Sequence, residues 1–414
     1  MDNNMLIREL VSKYDTPLFV YDLTVVHERI RDLASHLHAA IQLFYSLKAN
    51  PNATLVHEIH KSGVQLEVCS PYEYRTAIRC GVKPGEMMYL GPGKRTEDIV
   101  EALDGGVGYF IVESLDELDV VNEWSAATGK QVGIGLRVNP SQTIQGSKLK
   151  MGGISRQFGI DEDVLDKAVE RAQCTGRVHI YGLHVYYGTR ILDADVIISN
   201  TESVLDIAGR FMRKYGIRLQ YLGIGGGMGV PYFAAEQKLD SRKLVAGINE
   251  RVSRFIASFG PIKFMMESGR FLVAEAGDYI AKVVSTKTSK GTHYVILDGG
   301  THHFAAGGGT GSLLKKNFPI DALVDERREM APQMLAGPLC TPEDLLGRQV
   351  EMPLLQKGDL VRIRRTGAYG LTASPVLFLS HRLPREILVW GDQYRLVRDH
   401  DEYLFPQVKP IHRP

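Results

Sequence analysis

The sequence predicts an α/β protein, a parallel (β/α)8 TIM barrel followed by an all-β domain. Three observations predict it. Eight short apolar runs lie at 43–47, 66–69, 87–90, 109–112, 133–138, 180–185, 219–224 and 263–266, most of them separated by helical patterns at 53–61, 72–80, 97–103, 115–127, 162–172 and 244–258. Eight strands alternating with helices is the count of a closed parallel barrel. Lys48, Asn139, His184, Gly225 and Glu267 all fall at the C-terminal ends of these runs, the face on which such barrels build their sites. After about Glu275 the texture changes to short β-rich runs at 283–285, 294–297, 360–364, 376–379 and 386–390, with Gly and Pro between them.

Taken in order, residues 17–22 read as a strand bounded by Pro17 and Asp22, and 23–37 as an amphipathic helix. Residues 1–36 are expected to join the β domain, 37–274 to form the barrel and 275–414 the β domain itself. The stretch 301–333 carries Gly307-Gly308-Gly309 and no pattern, so a long mobile loop is expected there.

Composition narrows the function. With 414 residues the chain suits two large domains. Its net charge of +1 gives no basis for a nucleic-acid or acidic-membrane partner. Cys69, Cys80, Cys174 and Cys340 never form a C-x-x-C pair, which argues against a zinc site or a disulfide framework and suits a reducing compartment. The first residues carry no apolar signal-peptide core, and no run is long enough to span a bilayer, so a cytoplasmic location is expected.

The chemistry starts at Lys48, which ends the first barrel strand ahead of the turn signal Asn50-Pro51. A lysine at a strand end is either a surface cation or an amine with a task. The task that fits is a Schiff base to a carbonyl cofactor, favoured where desolvation lowers the lysine pKa. Gly225-Gly226-Gly227 follows the seventh strand, where backbone N–H groups can cradle a phosphate. Arg270 follows the eighth, two residues past Ser268 and next to Gly269, placed to reach the same phosphate. Glu267, a carboxylate on a buried strand, needs a cationic partner. That partner is either an arginine of the chain, Arg270 among them, or a protonated pyridine nitrogen. Together these groups describe pyridoxal 5′-phosphate (PLP).

At this point the chain resembles the barrel-type, fold type III PLP-dependent amino-acid decarboxylases, the group of the diaminopimelate and ornithine decarboxylases. The resemblance runs over Tyr45-Ser46-Leu47-Lys48-Ala49-Asn50, Gly225-Gly226-Gly227, Glu267-Ser268-Gly269-Arg270, Asp298-Gly299-Gly300, Gly337-Pro338-Leu339-Cys340 and Gly367-Ala368-Tyr369-Gly370. It implies an all-β barrel of the alanine racemase and ornithine decarboxylase type as the C-terminal domain. It also implies PLP held by Lys48, with Glu267 on the pyridine nitrogen and Thr189, Gly227, Arg270 and Tyr369 at the phosphate. Cys340 is then the thiol that a neighbouring subunit inserts to reprotonate the substrate carbon, and the enzyme is a homodimer with its site at the interface. A small buried hydrophobe is the alternative for Cys340.

Departures from the group carry information. Tyr186 stands where a histidine usually stacks on the cofactor ring, and His184 becomes a neighbouring group behind it. Thr341 stands where the diamine enzymes place an acid, with Glu343 and Asp344 close by as substitutes. No arginine occurs between Phe271 and Glu326, where diaminopimelate decarboxylases place one for the distal carboxylate. His302 and His303 are rejected as metal ligands, because neighbours on a strand point to opposite faces. The block from Lys148 to Ile160, with Met151-Gly152-Gly153 and Gln157-Phe158-Gly159, resembles the subgroup that decarboxylates amino acids tethered to an acyl-carrier protein. A thioester tether has neither a distal ammonium nor a distal carboxylate, so a site for it should lack their charged partners. Lys148, Lys150 and Arg156 would meet either solvent or the acidic carrier.

The expected activity is therefore PLP-dependent α-decarboxylation of an aspartyl, methylaspartyl or glutamyl unit on a carrier protein, in antibiotic or polyketide biosynthesis. A free amino-acid decarboxylase, diaminopimelate first, is the alternative. A racemase or a non-catalytic PLP carrier fits less well. Glu267 disfavours the unprotonated ring nitrogen of racemases, and the Gly-Pro-Leu-Cys segment disfavours a lone barrel. A non-enzymatic carrier-binding module would show no PLP absorbance at all.

Overall fold

The computed structural model describes residues 3–141, 149–150, 155–309, 316–324 and 327–400. The chain divides into two compact units, Val25–Glu275 on one hand, and Met1–Thr24 with Ala276–Pro414 on the other. The division falls inside the helix Leu23–Ala34, whereas the sequence assigned that whole helix to the β domain.

The first unit is the barrel. Its strands are Ile41–Ser46, Gln65–Val68, Met87–Tyr89, Tyr109–Val112, Val132–Asn139, Val178–His184, Tyr221–Gly223 and Lys263–Ser268. Each pairs in parallel with the next, and the eighth returns to the first in the register Met266↔Leu43, Glu267↔Phe44, Ser268↔Tyr45. The expected strands are all present, within two residues at nearly every end. Helices start where the sequence supplies a cap. Asn52 accepts from Thr54 N and Leu55 N ahead of Ala53–Lys61, and Ser70 accepts from Glu73 N ahead of Pro71–Arg79. Asp193 caps Ala194–Tyr215, which closes on Gly216 at φ 65°, a left-handed position suited to glycine. The barrel interior packs Phe44, Met88, Leu90, Ile111, Tyr221 and Met265 together. Gly182 makes room for the Tyr221 ring, since a Cβ there would stand 1.9 Å from it.

The second unit is a nine-stranded sheet. The strand Leu18–Asp22 lies inside it, antiparallel to Gly277–Ser289 and parallel to Arg385–Trp390. The helix Asn3–Tyr14 packs Leu6, Ile7 and Leu10 against Leu18, Ile280, Leu360 and Ile387. Sequence reading missed this helix because mixed charge hides its apolar stripe. Two further expectations are corrected. The stretch 301–333 is not patternless: it holds the 3-10 turn Ala305–Gly308, the strand Ile320–Leu323 and the start of Met330–Ala336. The run 376–379 is not a strand, for its end belongs to the turn Phe378–Ser380, with Leu379 at φ 59°. Among the described residues no helix is long and apolar enough to cross a membrane.

Candidate active site

The C-terminal mouth of the barrel gathers most of the expected residues. Lys48 sits in the single 3-10 turn Leu47–Ala49 that follows the first strand, with Leu47 and Ala49 buried and the lysine side chain 44% exposed. Gly269 allows this turn to lie close, since a Cβ there would approach Ala49 Cβ to 2.7 Å. Lys48 Nζ donates to Glu67 Oε1 at 2.7 Å and reaches Cys69 Sγ at 3.9 Å. Glu67, on the second strand, has no solvent contact and also accepts from the Ser46 hydroxyl and the Cys69 thiol. Burial alone would raise the Glu67 carboxyl, but the Lys48 ammonium and these donors outweigh it and hold it below the usual carboxylate range. Burial, together with the Glu67 and Glu73 carboxylates, pushes the Cys69 thiol well above its usual value, even though Lys48 opposes.

Further round the mouth, Arg137 Nη1 grips both oxygens of Glu113 at 2.9 and 3.0 Å, both side chains buried. Behind them Lys94 and Glu117 pair at 3.0 Å, also out of solvent. Sequence reading singled out none of Glu67, Cys69, Glu113 and Arg137. The available signal was a charged residue inside an apolar run, as in Leu66-Glu67-Val68 and Leu136-Arg137-Val138. Such a residue is rare in a core unless it is paired.

On the sixth and eighth strands His184 and Glu267 meet, Nε2 to Oε1 at 2.5 Å, with side chains 1% and 5% exposed. Arg270 does not take the place of that partner: its Nη1 donates to the Tyr232 hydroxyl at 2.9 Å. Between the two strands runs the glycine loop. Gly225 and Gly227 have φ of 66° and 83°. Gly226 presses on the eighth strand so closely that a Cβ would stand 1.8 Å from Glu267 O. Tyr186 is half-buried beside Gly225, its ring 3.2 Å from where a Cβ would be. Thr189 closes the loop after the sixth strand, in the bridge Gly188–Thr189.

Cys340 and Glu343 are exposed and Thr341 half-exposed, all in the second unit, as is Tyr369, which holds φ at 54°. A positive φ at a tyrosine is the kind of local strain that marks functional sites. Asp344 is not a free acid. It is buried and accepts from Thr301 N at 2.6 Å, Thr301 Oγ1 at 2.8 Å and Leu339 N at 2.8 Å. His302 and His303 lie in a turn, not on a strand, and their rings are 3.7 Å apart on the same side. The reason given for rejecting them as ligands therefore fails. Arg156 is exposed, and Lys148 with Met151-Gly152-Gly153 lies outside the described residues.

The geometry accepts the cofactor the sequence implied. His184 Nδ1 and Ser268 Oγ are buried with no hydrogen-bond partner among the described residues. Glu267 is a buried carboxylate whose partner there is an imidazole, with no lysine or arginine salt-bridged to it among the described residues. A pyridinium N–H supplies the cation that such a carboxylate lacks, and the turning glycine backbone with Arg270 beyond it suits a phosphate.

A lysine, a buried acid and a glycine loop at the mouth of a (β/α)8 barrel define a barrel-type PLP enzyme. The chain belongs to the pyridoxal-dependent decarboxylases, whose pyridoxal-binding domain matches residues 23–274. It is 38% identical, over 95% of its length and 93% of the other's, to the L-glutamyl-[BtrI acyl-carrier protein] decarboxylase of Niallia circulans. Diaminopimelate decarboxylase of Aquifex aeolicus is 28% identical over 96% of this chain and 92% of its own. Among solved structures, a diaminopimelate decarboxylase of Helicobacter pylori complexed with L-lysine superposes with a TM-score of 0.86 at 25% identity, covering 95% of this chain and 96% of its own. The chain is thus a PLP-dependent decarboxylase.

Proposed function

We propose that the enzyme removes the α-carboxylate of an aspartyl, methylaspartyl or glutamyl unit carried by an acyl-carrier protein, working as a cytoplasmic homodimer in a secondary-metabolite pathway. The observation that carries this reading is the engagement of Asp344. Asp344, four residues after Cys340, is held by Thr301 and Leu339, and Thr341 beside Cys340 is uncharged. Of the two acids after Cys340 that leaves Glu343 for a distal ammonium, and a distal carboxylate finds no arginine between Phe271 and Glu326. A thioester needs neither. The similarity to a carrier-protein decarboxylase over almost the whole chain supports the same reading.

The cofactor, when bound, supplies an electron-withdrawing ring that takes up the electron pair left on the substrate carbon as carbon dioxide departs. The chain supplies the rest. Lys48 would hold the cofactor through Nζ, the amine that Glu67 orients by its hydrogen bond. Glu267 holds a proton on the pyridine nitrogen. Gly225, Gly226, Gly227, Gly269, Thr189, Arg270 and Tyr369 take the phosphate, and Tyr186 covers the ring. The bond between Cα and the carboxyl carbon breaks, and Cα takes one proton, from Cys340 of the other subunit or from water. On this reading Arg156, Thr341 and Glu343 contact the substrate.

Carbon dioxide release from two matched panels tests this. One panel holds free diaminopimelate, ornithine, lysine, aspartate and glutamate. The other holds aspartyl and glutamyl units joined to pantetheine through the side-chain carboxyl. Turnover of the tethered panel alone is expected. Turnover of free diaminopimelate would overturn the carrier reading.

A further inference from the structure

We propose that His184 is a positioning residue that keeps Glu267 ionised and aimed, acting on the cofactor only through that carboxylate. The proposal rests on the reading that Glu267 faces the pyridine nitrogen.

The pair is built across an intervening strand. His184 ends the sixth strand, Glu267 is next to last on the eighth, and Gly223 ends the seventh between them. Gly223 pairs with His184 on one side and with Met265 on the other. The imidazole lies over Gly223, where a Cβ would stand 2.6 Å from His184 Cδ2. Any larger residue at 223 would push the ring out of its line to Glu267. The contact is thus prepared by two positions, a histidine and the glycine it passes over.

The hydrogen bonding fixes where the protons sit. Nδ1 of His184 is buried and has no partner among the described residues. A proton there would leave an unmet N–H, which costs roughly 1–3 kcal/mol. The single proton therefore belongs on Nε2 and is donated to Glu267 Oε1 at 2.5 Å. Glu267 must then be the acceptor, a carboxylate. A buried carboxyl without such a donor favours its neutral form, and a neutral acid holds no charge against a pyridinium. The imidazole supplies a donor without supplying a charge. It stabilises the carboxylate and leaves its negative charge for the ligand.

The test is the dissociation constant of PLP for apoprotein, read from the absorbance of the bound cofactor, together with the position of that band. His184→Leu should weaken binding by at least about tenfold, the scale of one hydrogen bond to a charged group, and move the band. His184→Gln, which keeps a donor, should stay within about threefold of the parent. Glu267→Gln should show the loss seen in His184→Leu, and the double variant should be no weaker than Glu267→Gln, because the histidine acts through that carboxylate. Parent-like binding by His184→Leu beside a weakened Glu267→Gln would overturn the proposal, as would losses that multiply in the double variant. Parent-like binding and band in Glu267→Gln would instead overturn the placement of Glu267 on which it rests. If His184→Leu does not fold, His184→Asn takes its place, since a shorter amide stays polar but cannot cross Gly223. The same expectation and the same reversals apply to it.

Discussion

Lys48 Nζ lies 2.7 Å from Glu67 Oε1, an ammonium 44% exposed against a carboxylate with no exposure at all. The pair is asymmetric: the acid is locked by Ser46 and Cys69 as well, while the lysine side chain keeps partial contact with solvent. An amine held this way is kept in place and charged until a carbonyl reaches it. Glu67→Gln keeps the shape and removes the charge that favours the ammonium. Uptake of PLP by apoprotein at neutral pH should become faster, by about three- to tenfold, as followed by stopped-flow absorbance. An unchanged rate would mean that Glu67 does not govern the lysine.

Lys48→Ala should abolish both the visible imine band and the near-ultraviolet pyridoxyl absorbance that borohydride fixes covalently to the parent. Its loss also leaves the buried Glu67 carboxylate without its cation, so a lower Tm is expected beside the lost band. Retention of a covalently fixed band after reduction would remove Lys48 from its assigned role.

Asp344 serves the fold before it serves any substrate. It ties Thr301 to Leu339, and through them the turn after Asp298-Gly299-Gly300 to the segment that carries Cys340. Asp344→Asn should cost about 2–3 kcal/mol, as expected for losing charge-assisted bonds in a buried site, and calorimetry should show a lower Tm. Undiminished stability with activity lost only toward diamines would instead make Asp344 a substrate ligand.

Acid should weaken the second unit in a defined window. Burial lowers His302 to about 4 and His303 to about 3, against an ordinary value near 6.5. His303 is neutral by its contacts as well, accepting from the Tyr279 hydroxyl and donating to the Arg382 carbonyl. The unfolded chain binds protons at these positions below about 6.5 while the folded chain does not. Their contribution is complete above that pH and is lost as pH falls toward 4 and then 3. Asp278, raised to about 6 by burial, and Asp298, also raised by burial, work in the opposite sense, while the lowered Asp15 and Asp399 add to the loss in acid. Urea unfolding between pH 7 and 4 should show falling stability, and His302→Phe should flatten the fall. A flat profile in the parent would rule out this origin.

Gly226→Ala should lose both cofactor and stability, because its Cβ would overlap the Glu267 carbonyl at 1.8 Å. Overpacking against backbone leaves nothing to rotate away, so a loss at or above about 3 kcal/mol is expected. Normal PLP binding by this variant would show that the loop shifts without consequence.

By itself the sequence determined the barrel, because alternating apolar runs and capped helices repeat often enough for each to confirm the next. It also determined the cofactor, because Lys48, Gly225-Gly226-Gly227 and Glu267 fall at strand ends, where a parallel barrel has to build its site. Only the tertiary structure decided which charges meet. Glu67 stands 19 residues from Lys48, and His184 stands 83 from Glu267. Nothing in local pattern says which strand of a closed sheet faces which. The same holds for Asp344 and for the paired rings of His302 and His303, whose roles depend on a turn that the strand period does not describe. Periodicity reports burial and direction along one segment; pairing of buried charges is a property of the closed sheet, set by strand register and by small residues such as Gly223 that let one side chain cross to another.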